Sequence, residues 1–315
     1  MNIDDLETGD RVDANIVEEK RDPLDFALWK AKKDGEPSWT SPWGEGRPGW
    51  HIECSAMVKK YLGDTIDFHC GGTDLIFPHH ENEIAQSECA NGKPFTRYWL
   101  HNGMININGG KMAKSAGNFF TVRDISEKYG YMPIRFFLLS STYRTPVNFS
   151  EEVITASKNA LDRIFTFGEN IDYLLKNADV GRADPDVPET AEILNYREKL
   201  IAALCDDFNT ADAISVLFDF IREANTKTMG VDSKPSKKLL ETIKELYDEF
   251  CCLFGFVKEI KESALSEDYI NEQIEKRTAA KKSKDFKAAD EIRNSLKSQG
   301  VILEDTPSGT KWKRE

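Results

Sequence analysis

All five histidines of this 315-residue chain (His51, His69, His79, His80 and His101) fall between positions 51 and 101. The residues around them restrict what this stretch can fold into. Ile66 and Phe68 alternate as in a strand that enters a glycine turn at Gly71-Gly72. Pro78 suits the first turn of a helix, and Asn91-Gly92 followed by Pro94 stops it. On that helix His79 and Glu83 stand at i and i+4 and share one face. An imidazole and a carboxylate so placed can hold one Zn²⁺, with Cys54 upstream as a third ligand. His80 and Glu81 compete for the helical places, and Cys70 and Cys89 for the place of Cys54.

A second element follows at Asn108-Gly109-Gly110-Lys111-Met112-Ala113-Lys114-Ser115-Ala116-Gly117-Asn118. Two lysines three apart between glycines can close on phosphates: lysine brings point charge, and glycine removes side-chain obstruction. Thr121 and Asp124 then read as a capping box that opens the next helix.

Beyond it the pattern is helical. Leu161, Ile164 and Phe165 sit at i, i+3, i+4, as do Ile214, Leu217 and Phe218, and Leu239, Ile243, Leu246, Phe250 and Leu253 continue the stripe. The expected fold is therefore α/β up to residue 125, an all-α bundle over 126–255, and a linker over 256–275. A basic helix from Ile274 to Ser298 and a hairpin ending at Trp312 complete it.

Charge divides along the same lines. Residues 276–315 carry 11 Lys/Arg against 6 Asp/Glu, which leaves −17 on the rest of a chain whose net charge is −12. An acidic body excludes polyanion binding by the whole surface, whereas a basic tail can meet nucleic acid locally. Lys276, Arg277, Lys281, Lys284, Lys287 and Arg293 are the phosphate candidates, and Trp312 the candidate for base stacking. The six scattered cysteines do not read as a disulfide framework, and no apolar run approaches a membrane span. A reduced, cytoplasmic protein is expected.

Three long runs resemble cysteinyl-tRNA synthetase in order and spacing. They are Gly46-Arg47-Pro48-Gly49-Trp50-His51-Ile52-Glu53-Cys54-Ser55-Ala56-Met57, the Gly71–Glu83 run, and Lys111–Asn118. Asp25–Lys30, Asp207-Phe208-Asn209-Thr210 and Gly300–Asp305 match as well. The resemblance implies a class I synthetase. Residues 1–125 would be the second half of a Rossmann-like nucleotide-binding domain. Residues 126–255 would be a stem-contact region and helical bundle, and 256–315 a linker and small anticodon-binding domain. It implies one Zn²⁺ on Cys54, His79 and Glu83, with a fourth cysteine nearer the N-terminus. Trp50 and Asp74 would line the amino-acid pocket. Lys111 and Lys114 would stand on the phosphates of ATP bound with Mg²⁺, in a KMSKS motif whose first serine is Ala113. The partners implied are L-cysteine, ATP and tRNA(Cys), and a monomer is expected.

The chain departs from the family in lacking the HIGH motif, His-x-Gly-His, and any cysteine before Cys54. Without the segment that carries them, no ATP–pyrophosphate exchange is expected from the chain alone, and a separate polypeptide could supply it. Two other readings compete: a non-catalytic fragment that binds tRNA or zinc, and a cysteine ligase acting on a small amine.

Overall fold

The computed structural model describes residues 20–22, 24–107, 110–111, 120–178, 188–230, 235–258, 265–306 and 309–314. Two compact units form, Met1–Phe119 with Ser141–Ser150, and Phe120–Ser140 with Glu151–Glu315.

In the first unit, β1 (Trp29–Ala31), β2 (Trp39–Ser41) and β3 (Gly44–Pro48) make an antiparallel sheet in the order β1-β3-β2. Helix α1 (Ile52–Tyr61) follows. Next comes a βαβ unit in which β4 (Ile66–Gly72) and β5 (Thr96–Asn102) run parallel, joined through α2 (Glu81–Asn91). A parallel pair needs such a crossover, and it leaves the carboxyl end of β4 free for a site. The alternation of β4 puts His69 and Gly71 on the face opposite to Ile66, Phe68 and Cys70. Gly92 ends α2 with φ +65°, the left-handed cap that Asn91-Gly92 predicts. Pro78 does not start the helix. It lies in an irregular turn, Ile76–His80, where Phe77 is extended, and regular helix begins at Glu81. A third sheet places β6 (Ile105–Ile107) antiparallel to β7 (Gly110–Lys111) and parallel to β8 (Val147–Phe149).

The second unit begins with α3 (Val122–Tyr129), which Thr121 and Asp124 open with a full capping box, and α4 (Tyr131–Leu139). Its core joins α5 (Glu151–Lys176), α6 (Pro188–Cys205), α7 (Thr210–Met229) and α8 (Lys237–Phe254). Leu161 and Ile164 of α5, Ile214 and Leu217 of α7 and Ile243, Leu246 and Phe250 of α8 are buried, as their spacing predicts. Phe167, rather than Phe165, is the buried aromatic of α5. Helices α5 and α8 approach closely at Gly168, where a Cβ would lie 2.6 Å from the Tyr247 ring. Gly168→Ala should therefore destabilise the bundle by about 1–3 kcal/mol, the usual result of overpacking, and chemical denaturation of the chain measures it. An unchanged midpoint would mean that the Tyr247 ring yields freely.

The C-terminal part departs from the expected single helix. There are two, α9 (Glu267–Lys282) and α10 (Phe286–Ser298), so helix begins within the expected linker and breaks at Ser283–Asp285. Lys284 takes φ +64°, and Asp285 caps α10 by accepting from the Ala288 amide. A residue other than glycine in this left-handed conformation leaves no compositional mark, which is why the pattern runs on across it. The hairpin of β9 (Val301–Thr306) and β10 (Gly309–Arg314) packs on this pair. Ile270, Leu296 and Val301 form the small core, with Trp312 packed against it.

Candidate metal centre

Helix α1 brings Cys54, the turn before α2 brings His79, and the first turn of α2 brings Glu83. Their donor atoms all lie within 4.8 Å of one another. Cys54 Sγ is 3.8 Å from His79 Nε2, and His79 Nε2 is 2.5 Å from a Glu83 oxygen. Ligands at about 2.0–2.3 Å from one tetrahedral ion stand roughly 3.3–3.7 Å apart. The sulfur–nitrogen spacing fits that frame, and the carboxylate needs only to swing outward. Glu83 is completely buried, and its two oxygens face imidazole nitrogens of His79 and His69. A thiol sulfur, an imidazole nitrogen and a carboxylate oxygen converging on one buried point are a zinc donor set, so the three residues fit a bound Zn²⁺.

The second Glu83 oxygen faces His69 Nε2 at 2.8 Å, and His69, His80 and Glu83 form a second group with clustered donor atoms. No local spacing marks His69 as a ligand. It stands opposite Trp99 in the parallel pairing, and that register, not any local spacing, brings it to Glu83. Of the other competing residues, Cys70 and Cys89 are exposed, and neither they nor Glu81 belong to either cluster.

Electrostatics follow from burial. Burial pushes the Cys54 thiol up to about 11, and Glu83 adds to the effect. A bound divalent cation reverses that sign. Burial also raises the Glu83 carboxyl, but His69 and His79 outweigh it and hold it below its ordinary value. His80 is brought down to about 4, chiefly by burial, and burial lowers His51 and His101 as well. A neutral His51 can accept from His79, whose Nδ1 lies 2.8 Å from His51 Nδ1. That contact leaves the His79 Nε2 lone pair directed at the cluster. Gly71 makes room for the ring layer, since a Cβ there would be 2.6 Å from His80 Cε1.

Trp50 lies at the rim, exposed, with its ring 5.3 Å from that of His79. Asp74 sits in the 3-10 turn that leaves the carboxyl end of β4. Lys111 ends β7, opposite Asn106 of β6. Lys114 lies outside the described residues. At the other end of the chain, Arg277 and Lys281 both engage Asp305, at 2.7 and 2.6 Å. Arg277 is buried, so it is not a phosphate contact. Lys281, Lys284 and Lys287 do not share a helical side, because they fall on α9, the break and α10. Trp312 is half-buried and donates its indole N–H to Asn271.

With this geometry in view, the comparisons are specific. The description "tRNA synthetases class I (C) catalytic domain" matches residues 1–159, and the DALR domain matches 199–259. A cysteine--tRNA ligase of Caldicellulosiruptor saccharolyticus is 53% identical over 99% of this chain and 66% of its own. Those of Clostridioides difficile and Lachnospira eligens are 52% and 51% identical over 99% of this chain, and over 66% and 67% of theirs. The chain thus spans about two thirds of the length of these curated relatives. A solved LeuRS from Agrobacterium radiobacter K84, in a ternary complex with tRNA and LeuAMS, is similar in fold. Its TM-score is 0.50 at 17% identity, over 73% of this chain and 37% of that one. Among the described residues no helix is long and apolar enough to cross a membrane.

Proposed function

The chain belongs to the cysteinyl-tRNA synthetase family of class I synthetases, and from that premise we propose that it carries the thiol-selecting part of an ATP-dependent cysteine--tRNA ligase. The observation that supports this best is the convergence of Cys54, His79 and Glu83 on one buried point.

Cysteine and serine differ only by sulfur against oxygen, and an apolar pocket rejects a hydroxyl weakly. Zn²⁺ held by these three residues would favour a soft thiolate over an alcohol and lower the thiol pKa. The chain's own groups do the rest. His51 fixes the His79 ring through the Nδ1 contact, while His69 restrains the second Glu83 oxygen. Asp74 holds the substrate ammonium, and the Trp50 ring covers the side chain at the rim. Lys111 and Lys114, with Mg²⁺, offset charge on the ATP phosphates as the substrate carboxylate attacks the α-phosphorus. The test is calorimetric titration of the zinc-loaded chain with L-cysteine and L-serine. Cysteine should bind at least a hundredfold more tightly, and equal affinities would refute thiol selection.

The C-terminal helices are the tRNA-binding part of this reading. Lys284 and Lys287 carry phosphate contacts, whereas Lys281 is already committed to Asp305. Lys284→Ala with Lys287→Ala should weaken tRNA(Cys) binding and reduce its log–log salt slope by about 2, near one per lost contact. Filter binding at several salt concentrations measures both, and an unchanged slope would exclude these lysines.

A further inference from the structure

We propose that Arg144 binds the phosphate of the aminoacyl adenylate, an inference that rests on the reading above. The first ground is where the parallel strands end. Gly72 closes β4 opposite Asn102, the last residue of β5. Asp74 and the pair Gly103-Met104 therefore leave the carboxyl end of the two strands together, the end at which open α/β sheets bind ligands. A Cβ on Gly72 would lie 2.6 Å from an Asp74 carboxylate oxygen and 3.9 Å from Met104 Sδ, so both side chains border the same point.

The segment that leads into β8 is pinned to this place. Gly103 N–H donates to the Tyr143 carbonyl at 2.7 Å, and Val147 N–H to the Met104 carbonyl at 3.0 Å. Between them Thr145 N–H donates to the Thr142 carbonyl at 3.0 Å, closing a turn with Tyr143 and Arg144 at its centre. The turn rests directly on Gly103, where a Cβ would come 2.4 Å from the Thr145 carbonyl carbon. Arg144 is exposed and lies along its neighbour: Nε donates to the Tyr143 hydroxyl at 3.0 Å, and the guanidinium carbon is 5.5 Å from the ring centroid. A planar guanidinium held on an aromatic ring is pre-organised for paired hydrogen bonds to a phosphate.

Charge selects the ligand. A carboxylate, Asp74, and a guanidinium, Arg144, at one end of the strands suit a molecule that carries both an ammonium and an oxyanion. In cysteine that oxyanion is the carboxylate, next to its own ammonium. In the adenylate the carboxylate has become an uncharged acyl group, and the phosphate farther out is the anion that remains. Gly103 and Met104 stand between the Gly72–Asp74 corner and the turn, which matches the longer span. An arginine on the phosphate also keeps its anion as the carboxylate attacks the α-phosphorus and pyrophosphate leaves.

The test is calorimetric titration of the zinc-loaded full chain with L-cysteinol adenylate, which keeps ammonium, thiol and phosphate, and with L-cysteinol, which has no oxyanion. Arg144→Ala should bind the adenylate about tenfold to a hundredfold more weakly than the parent and L-cysteinol equally well, with zinc content and circular dichroism kept. Arg144→Lys should recover only part of the loss, because a point charge lacks the planar fork. Unchanged adenylate affinity in the alanine variant would overturn the assignment, and so would an equal loss for L-cysteinol. A loss confined to L-cysteine or to tRNA(Cys) would overturn it too, by placing the guanidinium on the carboxylate or on RNA. Failure of the parent to bind either thiol ligand would instead refute the thiol-selecting reading itself.

Discussion

Glu83→Gln should lower the zinc affinity of this chain by roughly a hundredfold or more, the largest effect expected of any single substitution in the first unit. Glutamine keeps the shape of the side chain and removes the charge. The site then loses its only anionic oxygen ligand, while Cys54 and His79 remain close together. The protein should still fold, because glutamine keeps the side-chain shape and its amide can still meet the His69 and His79 rings that face the carboxylate. Competition with a chromophoric chelator measures the affinity. Glu81→Gln, one helical position from the buried His80 but outside the cluster, should leave it unchanged. Equal losses in both variants would mean that the effect is general electrostatics and not ligation.

Asp305→Ala should unfasten the C-terminal hairpin. Arg277 is buried and makes paired contacts of 2.7 and 2.9 Å to the Asp305 carboxylate, so the variant leaves a guanidinium buried without its anion. Removing one partner of a buried pair costs about 3–5 kcal/mol. The lower end applies here, because Asp305 is half-exposed and water can reach the site. Amide protection across β9 and β10 should fall by about a hundredfold in hydrogen exchange, with the helical bundle unaffected. The double variant Arg277→Met, Asp305→Leu should recover much of the loss, since no charge is stranded. Acid titration supplies a second readout. Arg277 first, and then Lys281, hold the Asp305 carboxyl far below its ordinary range. A depressed folded value gives stability that is present above the unfolded value of about 3.9 and is lost as pH falls through the folded one. Hairpin protection should therefore survive at pH 4 and fade well below it.

Much of this was legible in the residues, and the exceptions share a cause. Local spacing carried the His79–Glu83 pair, the Thr121–Asp124 capping box and the apolar stripes of α5, α7 and α8, since each is set within one or two helical turns. Spacing offers Cys54, Cys70 and Cys89 alike as the third ligand and only the resemblance selects Cys54, because 25 residues and a strand separate it from His79. The approach of His69 to Glu83 was not legible at all, because it depends on the register between β4 and β5. The basic tail misled for a similar reason. Arg277 and Lys281 read as phosphate contacts until the hairpin folds back and places Asp305 beside them.

In the proposed function, Cys54, His79 and Glu83 together hold a zinc ion that selects the substrate thiol. Zinc K-edge absorption on the purified full chain, with and without L-cysteine, tests it most directly. One zinc per chain is expected with a single sulfur neighbour, lost in Cys54→Ser, and a second sulfur when cysteine is added but none with serine. Zinc bound without sulfur, or a coordination shell indifferent to both Cys54→Ser and cysteine, would contradict it.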